Sequence, residues 1–170
     1  MKLIVRVASP RRAFVYPIPP APPTAVLTPW FRSHGAVRVF ARGWGLDAAA
    51  YRPAALAATW EQFDCLPALA FPLTHAVIVL ASPTDVLLSL QQRKRLWSIF
   101  RVPIFEQIVR KNGVLLAAEC EAHCGLHIES PNFDPGGRPM DSTPCGCGRK
   151  SPRLKAAIEA QEISAAAIAR

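Results

Sequence analysis

Four of the five cysteines and two of the four histidines of this 170-residue chain fall between residues 120 and 147. They run Cys120, His123, Cys124, His127, then a loop, then Cys145-Gly146-Cys147-Gly148. Zinc takes about four donors in a tetrahedron, mostly thiolate and imidazole. An ion shared between the two groups would tie distant stretches of chain together, which few other features of the sequence can do. Glycines beside Cys145 and Cys147 suit one half of such a site, because backbone amides must approach the thiolate sulfurs. The other half fits a strand running into a turn, with Cys120 at the strand end and Gly125 letting the chain reverse so that His127 returns opposite it. The expected ligand set is therefore Cys120, His127, Cys145 and Cys147, with His123 and Cys124 in the turn as spare or substitute ligands. Four protein donors leave no open position, which points to a structural rather than a catalytic zinc. An iron–sulfur cluster is the alternative, against which stands the rarity of histidine ligands there.

The remainder of the sequence predicts an α/β fold: a small mixed sheet with flanking helices and a Cys/His zinc-binding loop region. Residues 76–81 (AVIVLA) form a continuous apolar run of the kind found in strands covered on both faces. Ser82, Pro83 and Asp85 then read as an N-cap, a first-turn proline and a first-turn acid, predicting a helix over 83–100. Val86, Leu87, Leu90, Trp97 and Phe100 would share its buried face. Strands are expected at 103–109 and 114–119 around a Lys111-Asn112-Gly113 turn, the strands at 76–81 and 103–109 being parallel. Further strands are expected at 2–8, 13–16 and 36–41, and partial helix over 47–62 with a start at Pro53. The sequence 130–144, rich in Pro, Gly, Asp and Ser, reads as a loop. These elements divide the chain into an N-terminal segment of unclear affiliation (1–70), an α/β core carrying the zinc site (71–154) and a C-terminal helix (155–170).

Composition narrows the setting. At 51% hydrophobic and 19% charged the chain can bury a core. Twenty Lys and Arg against twelve Asp and Glu give +8, a balance compatible with acidic partners (nucleic acid, a phosphorylated ligand or an anionic membrane face) without selecting one, and equally with a basic face on an amphipathic helix. No run approaches the roughly 18 apolar residues of a membrane span, and no signal-peptide pattern opens the chain. The expectation is a cytoplasmic protein without membrane contact, whose cysteines serve as metal ligands or inert thiols. Arg149, Lys150 and Arg153, beside the Cys-Gly-Cys turn, could grip phosphate as basic residues beside a zinc knuckle do. Arg93, Lys94 and Arg95 read as a solvated helix face, Glu119, Glu121 and Glu129 as solvated carboxylates, Cys65 as a buried thiol, and His34 and His75 as isolated histidines. There is no Gly-x-x-x-x-Gly-Lys phosphate loop, no nucleophilic triad and no His-Glu-x-x-His helix.

Three stretches together resemble one family: VPIFEQIV at 102–109, AAECEAHCGLHIES at 117–130 and PCGCGRKSPRL at 144–154. Residues 77–154 are similar to part of the phenylacetate–coenzyme A ligase family of adenylate-forming enzymes. The family has an aromatic-Gly-x-Thr/Ser-Glu strand, a Glu-Cys segment, a Gly-Leu-His-Ile segment and a Cys-x-Cys-Gly-Arg motif in this order. The resemblance implies that Cys120, His127, Cys145 and Cys147 bind zinc. It also implies lost ligase chemistry. The stretch aligned with the adenine- and magnesium-contacting motif is Phe105-Glu106-Gln107-Ile108-Val109, without the glycine or the hydroxyl–acid pair. The ribose-binding segment is shortened to residues 129–144, and the phosphate loop and the lid with its catalytic lysine have no counterpart. The expected role is a binding or accessory protein, with no catalytic residues of its own, that works with a protein partner. The alternatives are a ligase component completed by a second subunit, and a basic zinc-knuckle nucleic-acid binder.

Overall fold

A computed structural model describes residues 10–155. Nine strands form one mixed sheet, larger than the small sheet expected. In chain order the elements are β1 (Thr24–Val26), β2 (Val37–Val39), α1 (Leu46–Tyr51), β3 (Ala55–Ala58), α2 (Trp60–Asp64), β4 (Ala76–Ala81), α3 (Leu90–Phe100), β5 (Ile104–Val109), β6 (Leu115–Glu119), β7 (Leu126–Ile128), β8 (Met140–Asp141) and β9 (Arg153–Leu154). The spatial order is β2-β1-β3-β4-β5-β6-β7-β9-β8. The five strands from β2 to β5 pair in parallel, and every pairing beyond β5 is antiparallel. The sheet therefore runs without a break across residue 70: β1, β2 and β3 lie on it beside β4.

Burial explains the parallel half. Every residue of β3, β4 and β5 is buried, as strands with cover on both faces must be. Leu56, Val77, Val79 and Ile104 pack on one face with Phe63, Leu88 and Leu96. Ala57, Ile78, Leu80 and Phe105 pack on the other with Phe14 and Phe31.

Several elements differ from those the sequence predicts, each for a local reason. No helix starts at Pro53. Helix α1 ends at Arg52 in the left-handed conformation, and Ala55–Ala58 are drawn into the sheet between β1 and β4. Helix α2 starts only after Thr59, whose side chain and Gln62 form a reciprocal capping box. The helix expected from Pro83 starts instead at Leu90. The Asp85 carboxylate accepts hydrogen bonds from the Ser82 amide (2.7 Å) and hydroxyl (2.8 Å), closing a turn. Ser89 and Gln92 then provide the capping box of α3. The buried face shifts accordingly: Leu96 is buried, whereas Val86 is 91% exposed and Trp97 is also exposed. Around residues 13–16 the described residues form a single bridge, Ala13 to Arg32. Leu154 belongs to β9, and the helix expected over 155–170 and the strand expected over 2–8 lie outside the described residues. Among the described residues no helix is long and apolar enough to cross a membrane.

Candidate metal centre

The antiparallel half of the sheet positions the donors. Strand β6 and β7 form a hairpin in which Ala118 faces His127 and Glu119 faces Leu126. Side chains alternate along a strand, so Cys120, two residues beyond Ala118, shares a face with His127. Gly125 closes the turn at φ +112°, against the Leu154 carbonyl of β9; a Cβ there would collide with that oxygen. On the far side β9 pairs with both β7 and β8, and the connection 142–152 folds back over the same face. Within it the Gly148 amide donates to the Cys145 carbonyl at 2.9 Å and the Cys145 amide to the Arg149 carbonyl at 3.3 Å.

The result is one cluster. The potential ligand atoms of Cys120, His127, Cys145 and Cys147 all lie within 4.8 Å of one another. Cys120 and Cys145 sulfurs are 3.6 Å apart, and Cys147 Sγ is 3.4 Å from His127 Nε2. Cys120, His127 and Cys145 are buried. His127 Nδ1 lies 2.8 Å from Ser151 Oγ. With Nδ1–H donated to that hydroxyl, the Nε2 lone pair faces the three sulfurs, the ring orientation that metal-binding histidines take from a neighbour. Burial pushes the Cys120 thiol up to about 12, while hydrogen bonding, led by the Cys147 amide, pulls Cys145 down to about 6. A buried Cys3His group of this kind can hold a metal ion. No family model matches this chain, and no curated protein matches it either.

The two spare candidates stand apart from the four. His123 sits in the turn at φ +50° and stacks on Phe105, ring centroids 4.7 Å apart. Cys124 directs its thiol to the Ala122 carbonyl at 3.1 Å. Cys65, expected to be buried, is exposed at the end of α2. His34 and His75 are both exposed, and neither joins the cluster. Two of the three basic residues near the Cys turn have internal partners. Arg153 is buried, pairs with Asp141 at 2.8 Å and donates to the Cys124 carbonyl at 3.2 Å; Arg149 pairs with Glu129 at 2.6 Å. Lys150 is exposed.

A second polar cluster was not legible in the sequence. Glu119 is not a solvated carboxylate, because β6 is an interior strand and the side chain is almost wholly buried. Nor does Arg93 belong to a solvated face. Its guanidinium reaches Glu106 at 3.0 Å and Glu119 at 2.9 Å. Glu119 Oε2 also accepts the Glu106 backbone amide at 2.7 Å, and Glu106 Oε1 accepts the Leu88 amide at 2.8 Å. Lys94 and Arg95, by contrast, are exposed as expected. One guanidinium cannot neutralise two buried carboxylates, and burial pushes Glu106 up to about 7 and Glu119 upward as well. The folded chain binds this proton more tightly than the unfolded chain, so Glu106's contribution is complete below the ordinary 4.5 and is lost as pH rises through about 7. Glu106→Gln is expected to flatten the stability–pH curve across that window. Urea-denaturation midpoints between pH 4 and 8 test this; an unchanged slope counts against it.

Proposed function

We propose that this chain is a zinc-stabilised α/β protein, related to the core of the acyl-adenylating coenzyme A ligases, that acts as a binding or accessory protein without ligase activity of its own. The observation carrying the zinc reading is the convergence of three thiols and one imidazole within 4.8 Å. A tetrahedral centre with Zn–S near 2.3 Å spaces its donors about 3.5–3.8 Å apart, and the 3.6 Å and 3.4 Å separations lie close to that range. Three thiolates around a divalent ion leave one net negative charge. Zinc would supply a cross-link between the β6–β7 turn and the β8–β9 connection. All four of its positions would be filled by protein, which suits a structural role. Thiols kept free for a metal suit a reducing compartment such as the cytoplasm.

Relationship to the ligases rests on the resemblance over residues 77–154. Loss of activity is supported by what became of the strand at the nucleotide-binding position. There Glu106 is bound to Arg93 and the Leu88 amide, and Gln107 Nε2 donates to the Val15 carbonyl at 2.9 Å. Both side chains are engaged within the protein.

Metal analysis by emission spectroscopy is expected to give about one zinc per chain, as one tetrahedral site requires. Iron in its place, or no metal after purification without chelator, overturns the assignment. The accessory role predicts no acid-dependent pyrophosphate release from ATP by the chain alone. Release above the rate of a blank overturns that part.

A further inference from the structure

Residues 82–89 are neither helix nor strand, yet they form one wall of a cleft of about 240 Å3. Asp85, Val86 and Leu88 line it from this segment, facing Trp60, Gln92 and Glu106. Something must hold the segment in place, since it has little regular backbone pairing of its own. On one side the Leu88 amide is held by Glu106. On the other, the holder comes from the metal lobe. Arg138 Nη2 donates to the carbonyls of Pro83 at 2.8 Å and Asp85 at 2.9 Å. Arg138 Nη1 is buried without a hydrogen-bond partner of its own, so the guanidinium is held through Nη2. Independently, Phe133 and Leu87 belong to one apolar cluster with Ile108, Leu116, Leu126 and Leu154.

Phe133 and Arg138 both sit on the connection 129–144, whose flanks are the candidate ligands His127 and Cys145. Between its ends, order comes from short local bonds, such as Gly136 amide to Asp134 and Arg138 amide to the Pro135 carbonyl; its ends are tied by the Glu129 and Ser130 amides to the Leu116 carbonyl and by Asp141 to Arg153. Such a segment takes its position largely from its anchors.

We propose that residues 129–144 are a metal-anchored clamp: ligation at His127 and Cys145 fixes the strap, and the strap, through Arg138 and Phe133, fixes the wall of the cleft at 82–89. This rests on the metal reading above and adds a coupling that reading does not require. Metal occupancy thereby sets whether the cleft has a formed wall.

Hydrogen exchange on the full chain tests it, read at the amides of Asp85 and Leu88, which donate to the Ser82 carbonyl and to Glu106. Amides of Ala55–Ala58 serve as the internal reference, and metal content is measured on each sample. Arg138→Ala is expected to keep its metal and to accelerate exchange at residues 85 and 88 about tenfold, the effect of losing a charge-assisted hydrogen bond. Chelation of the unsubstituted chain is expected to accelerate the same two amides together with 129–144, the reference staying slow. In the Arg138→Ala chain, chelation is expected to add less at 85 and 88 than in the unsubstituted chain, the Phe133 contact with the Leu87 cluster being the link that remains. If chelation loosens 129–144 but not 85 and 88, the clamp is overturned while the metal reading stands. Acceleration of the reference amides too overturns it in favour of a metal needed for the whole fold. A chain that binds no metal removes the metal reading and the clamp together.

Discussion

Cys145→Ser is expected to abolish metal binding and to unfold the lobe spanning residues 120–155, while β1 to β5 stay paired. Serine offers a hydroxyl where the site needs a thiolate, and three remaining donors hold zinc far less tightly than four. In small zinc domains the apparent binding free energy is about 10 kcal/mol or more, and it is also folding free energy because the unfolded chain has no preformed site. Besides the metal, the lobe has short strands and one small apolar cluster, in which Leu126, Phe133 and Leu154 pack with Ile108 and Leu116. Strands β8 and β9 contain two residues each, and the connection 129–144 contributes Phe133 as its one buried hydrophobic residue. Cys145 is also a buried member of the cluster, its sulfur 3.6 Å from that of Cys120, so its loss removes a donor from the interior of the site. The measurement is metal content together with resolved hydrogen exchange. Cys124→Ser and Cys65→Ser serve as controls, since neither thiol lies in the cluster, and both variants should keep the metal. A Cys145→Ser chain with a full complement of metal would falsify the ligand assignment.

Arg93→Met has the second largest expected effect, a loss of about 3–5 kcal/mol, the range for removing one partner of a buried ion pair. Methionine keeps much of the apolar stem but leaves Glu106 and Glu119 buried without a cation, and both carboxylates are almost fully shielded from water. Helix α3 would lose its polar attachment to β5 and β6. Because the variant's carboxylates escape charge repulsion only by taking up protons, its stability is expected to recover as pH falls toward 4.5. Adding Glu106→Gln and Glu119→Gln should restore part of the loss at neutral pH, since neutral amides carry no charge to strand. Chemical denaturation at pH 5 and pH 7.5 separates these cases. A loss below about 1 kcal/mol, the worth of an exposed pair, would mean that water reaches the triad.

Much of the architecture could be read from residue order because it depends on short-range chemistry. The run at 76–81 is apolar throughout and became the fully buried β4. The strands expected at 103–109 and 114–119 form β5 and β6, and the parallel pairing of β4 with β5 is present. Sequence alone places the start of α3 too early because two capping patterns compete: Ser82 with Asp85, and Ser89 with Gln92. Both satisfy local rules. Burial of Leu87 and Leu88 beneath the metal lobe and beside Glu106 favours the second. The strand at 55–58 was missed for a similar reason. Alanine-rich sequence favours helix locally, and only neighbours β1 and β4 make the extended form better.

The two polar clusters show the same division. Residue types and spacing between 120 and 147 offer six donors and already point to Cys120, His127, Cys145 and Cys147, the four whose ligand atoms converge. Which four converge follows from register: Ala118 opposite His127, and β9 inserted between β7 and β8. The Arg93–Glu106–Glu119 triad had no signal in the chain at all. Its members come from a helix and two strands, and each residue alone looks like ordinary surface. Charges become buried through long-range packing, which local sequence rules do not see, whereas a strand's apolarity or a cysteine's chemistry travels with the residue itself.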